Sequence, residues 1–188
     1  MRMSDVELIG GHAVVDLVNT VAWRGDDRRR NDRLTSDDDV VTWAVRTGVL
    51  PAGALRADAG STAVLDVVVP FREALHAVLL DGGDPAARAA VHAAIAAAVA
   101  RADTPTDAPW HWDIARPALA DLPALAALRA AELLTSPDLA AVRLCADDTC
   151  GWLFVDRSRN HSRRWCSSAD CGNRARARRH AQRARATR

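Results

Sequence analysis

Lysine is missing altogether: all 25 basic residues of this 188-residue chain are arginine. A bias that complete reflects coding composition as readily as chemistry, so the choice of arginine over lysine carries no weight. Long apolar runs are missing too. No stretch of about 18 apolar residues occurs, which excludes an ordinary membrane-spanning helix. The opening MRMSDVELIGG contains an Asp and a Glu and lacks an apolar core of signal-peptide length, so a cytoplasmic protein with no membrane partner is expected. Catalytic motifs are absent as well. There is no HExxH, no phosphate loop and no nucleophile motif, and His12 with Asp16 at i, i+4 reads as a surface helix pair. The chain is not expected to be an enzyme. No internal repeat of roughly 20–50 residues is visible either.

What is present is unevenly distributed. Apolar residues make up 49% of the chain, which excludes wholesale disorder, although alanine supplies much of that figure and buries little area. Residues 1–139 hold 13 Arg against 20 acidic residues, a net of −7; residues 140–188 hold 12 Arg against 4 Asp, a net of +8. Such a division suggests an acidic domain carrying a basic arm for an acidic partner.

The acidic part reads as mainly α. HAVVDLVNTVAW (residues 12–23) has apolar spacings of three and four, which argues for an amphipathic helix, with a strand as the alternative. GDDRRRNDR (25–33) is a charged loop. Ser36 then caps a helix whose first turn is Asp37, Asp38 and Asp39, ending near Gly48. Residues 61–80 form either two helices or one kinked at Pro70. Asp84-Pro85 starts an alanine-rich helix to about residue 102, with Val91, Ile95 and Val99 on its stripe. Trp110-His111-Trp112 fits a short strand, and Asp121 caps a leucine-bearing helix through Ser136. Trp23, Trp43, Trp110 and Trp112 serve as core filling or line a small-molecule pocket.

All four cysteines fall in CADDTCGWLFVDRSRNHSRRWCSSADC: Cys145, Cys150, Cys166 and Cys171, spaced C-x4-C, fifteen residues, C-x4-C. Two close pairs separated by a loop suit tetrahedral zinc, and four thiolates leave no open position, so the Zn2+ is expected to be structural. Two disulfides or four free thiols compete with this reading, and His161 competes as a ligand from a turn. A hairpin over 152–165 would gather Trp152, Phe154 and Trp165 around the metal. So short a module has no adequate core without a metal. Cys171 should open the last helix, with Asn173, Ala177, Ala181 and Ala184 as a small face that packs on the hairpin. Arg174, Arg178 and Arg185 share one flank of it; Arg176, Arg179 and Arg183 share another. No acidic residue follows Asp170, so the helix reads as an uncompensated cationic surface for nucleic acid.

CGWLFVDRS, then RRWC, then CGNR with a basic run behind it, resembles the CGNR zinc finger family over about residues 142–180. In such proteins the finger follows an N-terminal domain named ABATE, a stress-induced transcriptional regulator. VVDLVNTV and DRLTSDDDVVTWA are similar to that domain's opening. The resemblance implies a bacterial transcription regulator with a helical ABATE-like regulatory domain over 1–139 and a CGNR-type finger with an Arg-rich helix over 140–188. DNA is the expected partner, through Arg163, Arg164, Arg174, Arg176, Arg178, Arg179 and Arg183. The N-terminal domain would take a small-molecule effector or form a homodimer. The alternative is a zinc-scaffolded RNA- or protein-interaction module, which exposed Trp152 and Trp165 would favour.

Overall fold

A computed structural model describes residues 3–56, 63–103 and 112–186. Along the chain run α1 (Ala13–Val18), β1 (Val21–Ala22), β2 (Asn31–Asp32), α2 (Asp37–Arg46), α3 (Val64–Asp81), α4 (Pro85–Val99), α5 (Leu122–Leu134), β3 (Val142–Leu144), β4 (Leu153–Val155) and α6 (Cys171–Ala186). The fold is mainly α, with two antiparallel two-stranded ribbons, β1–β2 and β3–β4.

Local chemistry explains most boundaries. Ser36 caps α2 by accepting from the Asp39 amide, and Asp84 caps α4 by accepting from the Ala87 amide, with Pro85 at N1. Pro70 does not divide α3. Its position is exposed, so water can satisfy the carbonyl that the ring leaves without a donor, and the helix continues. The helix expected over 12–23 stops at Val18. Asn19 turns away to bond the backbone of Leu153, and Val21–Ala22 form β1 instead. Asp121 precedes α5 but caps the short 3-10 turn before it, accepting from the Ala118 amide and pairing with Arg101. Trp110 and His111 lie outside the described residues; beside them, Asp113 bridges to Asp103.

α3, α4 and α5 pack on one another, and α1 and α2 close over α3 and α5. The core gathers Leu17, Trp43, Leu75, Leu122, Leu125 and Leu128, all fully buried. Each such side chain contributes about 1.5–3 kcal/mol. Trp43 is core filling, and its indole N–H donates to the Ala13 carbonyl at 3.0 Å. Beside this core lies a charged network with no counterpart in the sequence reading. Buried Arg72 holds Asp32 with two hydrogen bonds of 2.7 Å and reaches Thr20, while Arg24 is bonded twice to Glu73.

The cysteine module is joined to this body by β4. Leu153 and Val155 point into the helical core, whereas Phe154 points into the cysteine cluster, as the two-residue strand period requires. Asn19 donates to the Leu153 carbonyl (2.8 Å) and accepts its amide (2.9 Å), and Trp152 donates its indole N–H to Val21 (2.9 Å). Gly25 comes so close to the first cysteine turn that a Cβ there would lie 2.0 Å from the Asp148 carbonyl oxygen. Only glycine fits.

The hairpin differs from the one expected. β4 pairs with β3, upstream of Cys145, in the register Val142↔Val155, Arg143↔Phe154 and Leu144↔Leu153. Residues 163–165 are not a strand. Asp156 organises the segment after β4 into a turn, accepting from the Ser158 amide and hydroxyl and from the Arg163 amide. The first cysteine pair therefore sits at the tip of the β3–β4 ribbon.

Candidate metal centre and nucleic-acid interface

Cys145 leaves β3 with its amide still bonded to the Trp152 carbonyl, and a turn closed by Cys150 N–H to Asp147 brings Cys150 back beside it. Gly151, at φ +71°, completes that turn. Cys166 and Cys171 come from a second turn, tied by Gly172 N–H to the Ser167 carbonyl, and Cys171 is the first residue of α6 as expected. Gly172 packs under Trp165, and Ile9, Trp152, Phe154 and Trp165 surround the sulfurs.

All four Sγ atoms are buried and lie within 4.8 Å of one another, with Cys150–Cys166 at 3.6 Å and Cys166–Cys171 at 3.4 Å. A tetrahedron of thiolates about 2.3 Å from zinc has sulfurs roughly 3.8 Å apart, so the cluster fits the ion. The cysteines are free thiols rather than disulfides, and His161 is not in the cluster; its Nδ1 sits at the Asp156 carbonyl. Thiols packed this closely must share protons when no cation holds them. Hydrogen bonds from Cys150 and Cys166 pull Cys145 down, donation to Cys145 pushes Cys150 and Cys166 up, and burial pushes Cys171 up. A divalent cation removes that conflict by taking all four as thiolates. Two donors temper the sulfur charge: the Cys166 amide on Cys145 (3.4 Å) and the Arg174 guanidinium on Cys171 (2.8 Å). The set is closed, as a structural zinc site requires.

The seven arginines expected at a nucleic acid divide into two groups. Arg163 is turned inward. It donates to the carbonyls of Trp165, Cys166 and Ile9 and lies 4.3 Å over the Phe154 ring. Arg174 is also engaged, with Asp147, Asp170, the Cys171 sulfur and the face of Trp23. Arg178 pairs with Asp147 and, more distantly, Asp148. The root of the helix is thus compensated by acids that precede it in sequence, which a search after Asp170 misses. Arg164 and Arg179 are exposed and have no acidic partner among the described residues, and Arg176 and Arg183 are exposed on α6. Arg164, Arg178 and Arg179, from two elements, converge on a shallow groove of about 230 Å³ beside Trp165.

Two further expectations meet the geometry. Asn173, Ala177, Ala181 and Ala184 are exposed rather than packed on the hairpin. An alanine face offers little apolar area; the buried residues of α6 are Cys171 and Gly172, and beyond them the helix meets the module through Arg174 and Arg178 on Asp147. Trp152 and Trp165 are half-buried, the first tied to Val21 and the second covering Gly172, so they make no open stacking platform. Among the described residues no helix is long and apolar enough to cross a membrane.

Comparison with known families agrees with these features. The CGNR zinc finger model matches residues 142–184, and the ABATE model, described as "Putative stress-induced transcription regulator", matches residues 11–137. No curated protein matches the chain. With a family model spanning most of its length and four cysteines set for zinc, the chain belongs to the ABATE family and carries a CGNR zinc finger after that domain.

Proposed function

We propose that the protein is a cytoplasmic, non-enzymatic transcription regulator that grips duplex DNA with its finger and α6, while the ABATE domain senses a signal. The observation that carries this reading is the convergence of Arg164 with Arg178 and Arg179 on one groove, continued along α6 by Arg176 and Arg183. α6 itself contains no acidic residue. Phosphates are the natural occupants of such a surface, and contacts of that kind set affinity and register more than sequence choice. The half-buried tryptophans favour a duplex over stacked single strands. Zinc acts indirectly: it fixes the direction in which α6 leaves the body.

The test is a salt series on duplex DNA with the intact protein and with a chain truncated after Ala175. That truncation keeps Arg174 on the Cys171 sulfur. The expected outcome is a steep fall of affinity with salt in the intact protein, and loss of binding with zinc content retained in the truncated one. Affinity that ignores salt would sink the reading.

A further inference from the structure

The body carries arginines of its own close to α6. The loop between β1 and β2 is folded tightly: the amides of Arg29 and Arg30 both donate to the Asp26 carbonyl, and the Asp26 amide donates to that of Trp23. This loop is seated on the first cysteine turn. The Arg24 amide donates to the Cys150 carbonyl at 3.2 Å, Gly25 lies against Asp148, and a Cβ on Gly151 would lie 2.5 Å from that of Arg24. Arg174 and Arg178 pair with Asp147 of the same turn, so the loop and the root of α6 are held against one piece of backbone.

Trp23 joins the two sides directly. Its backbone lies in the left-handed region at φ 58°, which a bulky side chain rarely adopts, and the hydrogen bonds around it keep it there. Its ring takes the Arg174 guanidinium at 4.5 Å and the Arg29 guanidinium at 3.3 Å. These two arginines differ in what they have left to give. Arg174 donates to Asp147, Asp170 and the Cys171 sulfur. Arg29 is exposed, and among the described residues its side chain has no ion pair or hydrogen bond. A guanidinium stacked on an aromatic ring keeps its fork of donors in its own plane, free to bond. Arg29 is therefore held in place with its hydrogen-bonding capacity unspent, and a phosphate is an acceptor that such a fork matches.

Charge around the loop favours the same occupant. Arg28 and Arg30 flank Arg29 and are exposed, and Arg30 reaches only Glu73, at 3.9 Å. Asp32 and Asp170 are taken by Arg72 and Arg174, and half-buried Asp26 turns an oxygen to the Arg28 amide. What remains exposed is Asp27 and Asp148 against Arg28, Arg29, Arg30 and Arg178.

We infer that the β1–β2 loop of the ABATE domain is a second phosphate-binding element, with Arg29 on the backbone of the same duplex that α6 grips. The inference rests on the DNA-binding reading above and adds to it a contact from the other domain. A duplex held by both elements bridges body and finger, so the orientation of one to the other enters the affinity.

The test is a salt series on duplex DNA with the zinc-loaded full chain, the parent beside Arg29→Ala and Arg116→Asn. Arg116 is an exposed arginine between α4 and α5 whose positive φ asparagine tolerates, and it controls for net charge. Arg29→Ala is expected to lower the slope of log affinity against log salt by about 1, and Arg116→Asn to leave it at the parent's value. Should Arg29→Ala lose zinc, Arg29→Gln decides in its place. If the parent binds without salt dependence, the DNA-binding reading and this inference fall together. If the parent shows a steep slope that Arg29→Ala leaves unchanged, or that Arg116→Asn lowers equally, this inference alone is overturned. A slope lowered on single-stranded RNA but not on the duplex overturns it too.

Discussion

Around Leu128 the body buries leucine after leucine between α1, α3 and α5, while around Cys166 the module buries four sulfurs, one phenylalanine and the edges of two tryptophans. The first arrangement is redundant, since many side chains each contribute a little. The second depends on one centre. Between them β4 belongs to both, giving Leu153 and Val155 to the body and Phe154 to the metal cluster. A module of this kind borrows half its core from its neighbour and takes the rest from an ion. Its geometry relative to the body is fixed by Asn19, Trp152 and Gly25 at the joint, and α6 inherits that geometry.

Removing the metal should break the comparison most widely. Structural zinc contributes on the order of 10–16 kcal/mol in small modules. Chelation should therefore open residues 145–175 to proteolysis and hydrogen exchange while α3, α4 and α5 stay protected. Equal loss of protection in both regions would show that the body depends on the ion as much as the module does. The body has its own weak point in Leu128, which is fully buried. Leu128→Ala should destabilise by about 2–5 kcal/mol in thermal or denaturant unfolding, with zinc stoichiometry in the folded protein unchanged.

How far each region could be read from sequence follows the same division. Cysteine spacing, Ser36, Asp84-Pro85 and the leucines of α5 act through local chemistry, so the metal ligands, most helix starts and the core were legible. The hairpin partner was not, because β3 and the 163–165 segment are both short, and only the Asp156 turn decides against the latter. The early end of α1 was hidden for a related reason: Asn19 answers to Leu153, 134 residues away. Arginine roles were the least legible. Arg163 and Arg164 are neighbours with opposite orientations, and Arg174 meets Asp147 from the other turn, so charge counting along the helix could not assign either.

A pH series sharpens the contrast from the body's side. Burial pushes Asp16 up to about 6, against backbone hydrogen bonds from Gly10 and Ile9. The folded chain then holds that proton where the unfolded chain, at 3.8, has released it. Stability from this group is full below the unfolded value and is lost as pH rises through 6, by about 3 kcal/mol at neutrality. Asp16→Asn keeps an acceptor for the Gly10 amide and removes the charge. It should match the parent in acid and exceed it by about 3 kcal/mol above pH 7 in urea unfolding. Glu73 moves the opposite way, to about 2, because Arg24 outweighs its burial, and burial lowers His76 to about 4. Both lose stability on acidification, and both are common to the two proteins, so the difference isolates Asp16.

The smallest stability effect tests the finest part of the comparison, the two groups of arginines. Arg163 fills its donors with carbonyls of the module and the N-terminal segment, so Arg163→Ala leaves those acceptors without partners and should lower stability by about 1–3 kcal/mol. Arg179 is exposed on α6, and Arg179→Ala should stay within about 0.5 kcal/mol of the parent. On DNA the order should invert. Losing a phosphate contact reduces the slope of log affinity against log salt by about 1, so Arg179→Ala should show that reduction. Arg163→Ala, measured where it is fully folded, should keep the parent's slope. If Arg163→Ala changes the slope and Arg179→Ala does not, the inward arginine is the one that meets the phosphates, and the module must open to bind.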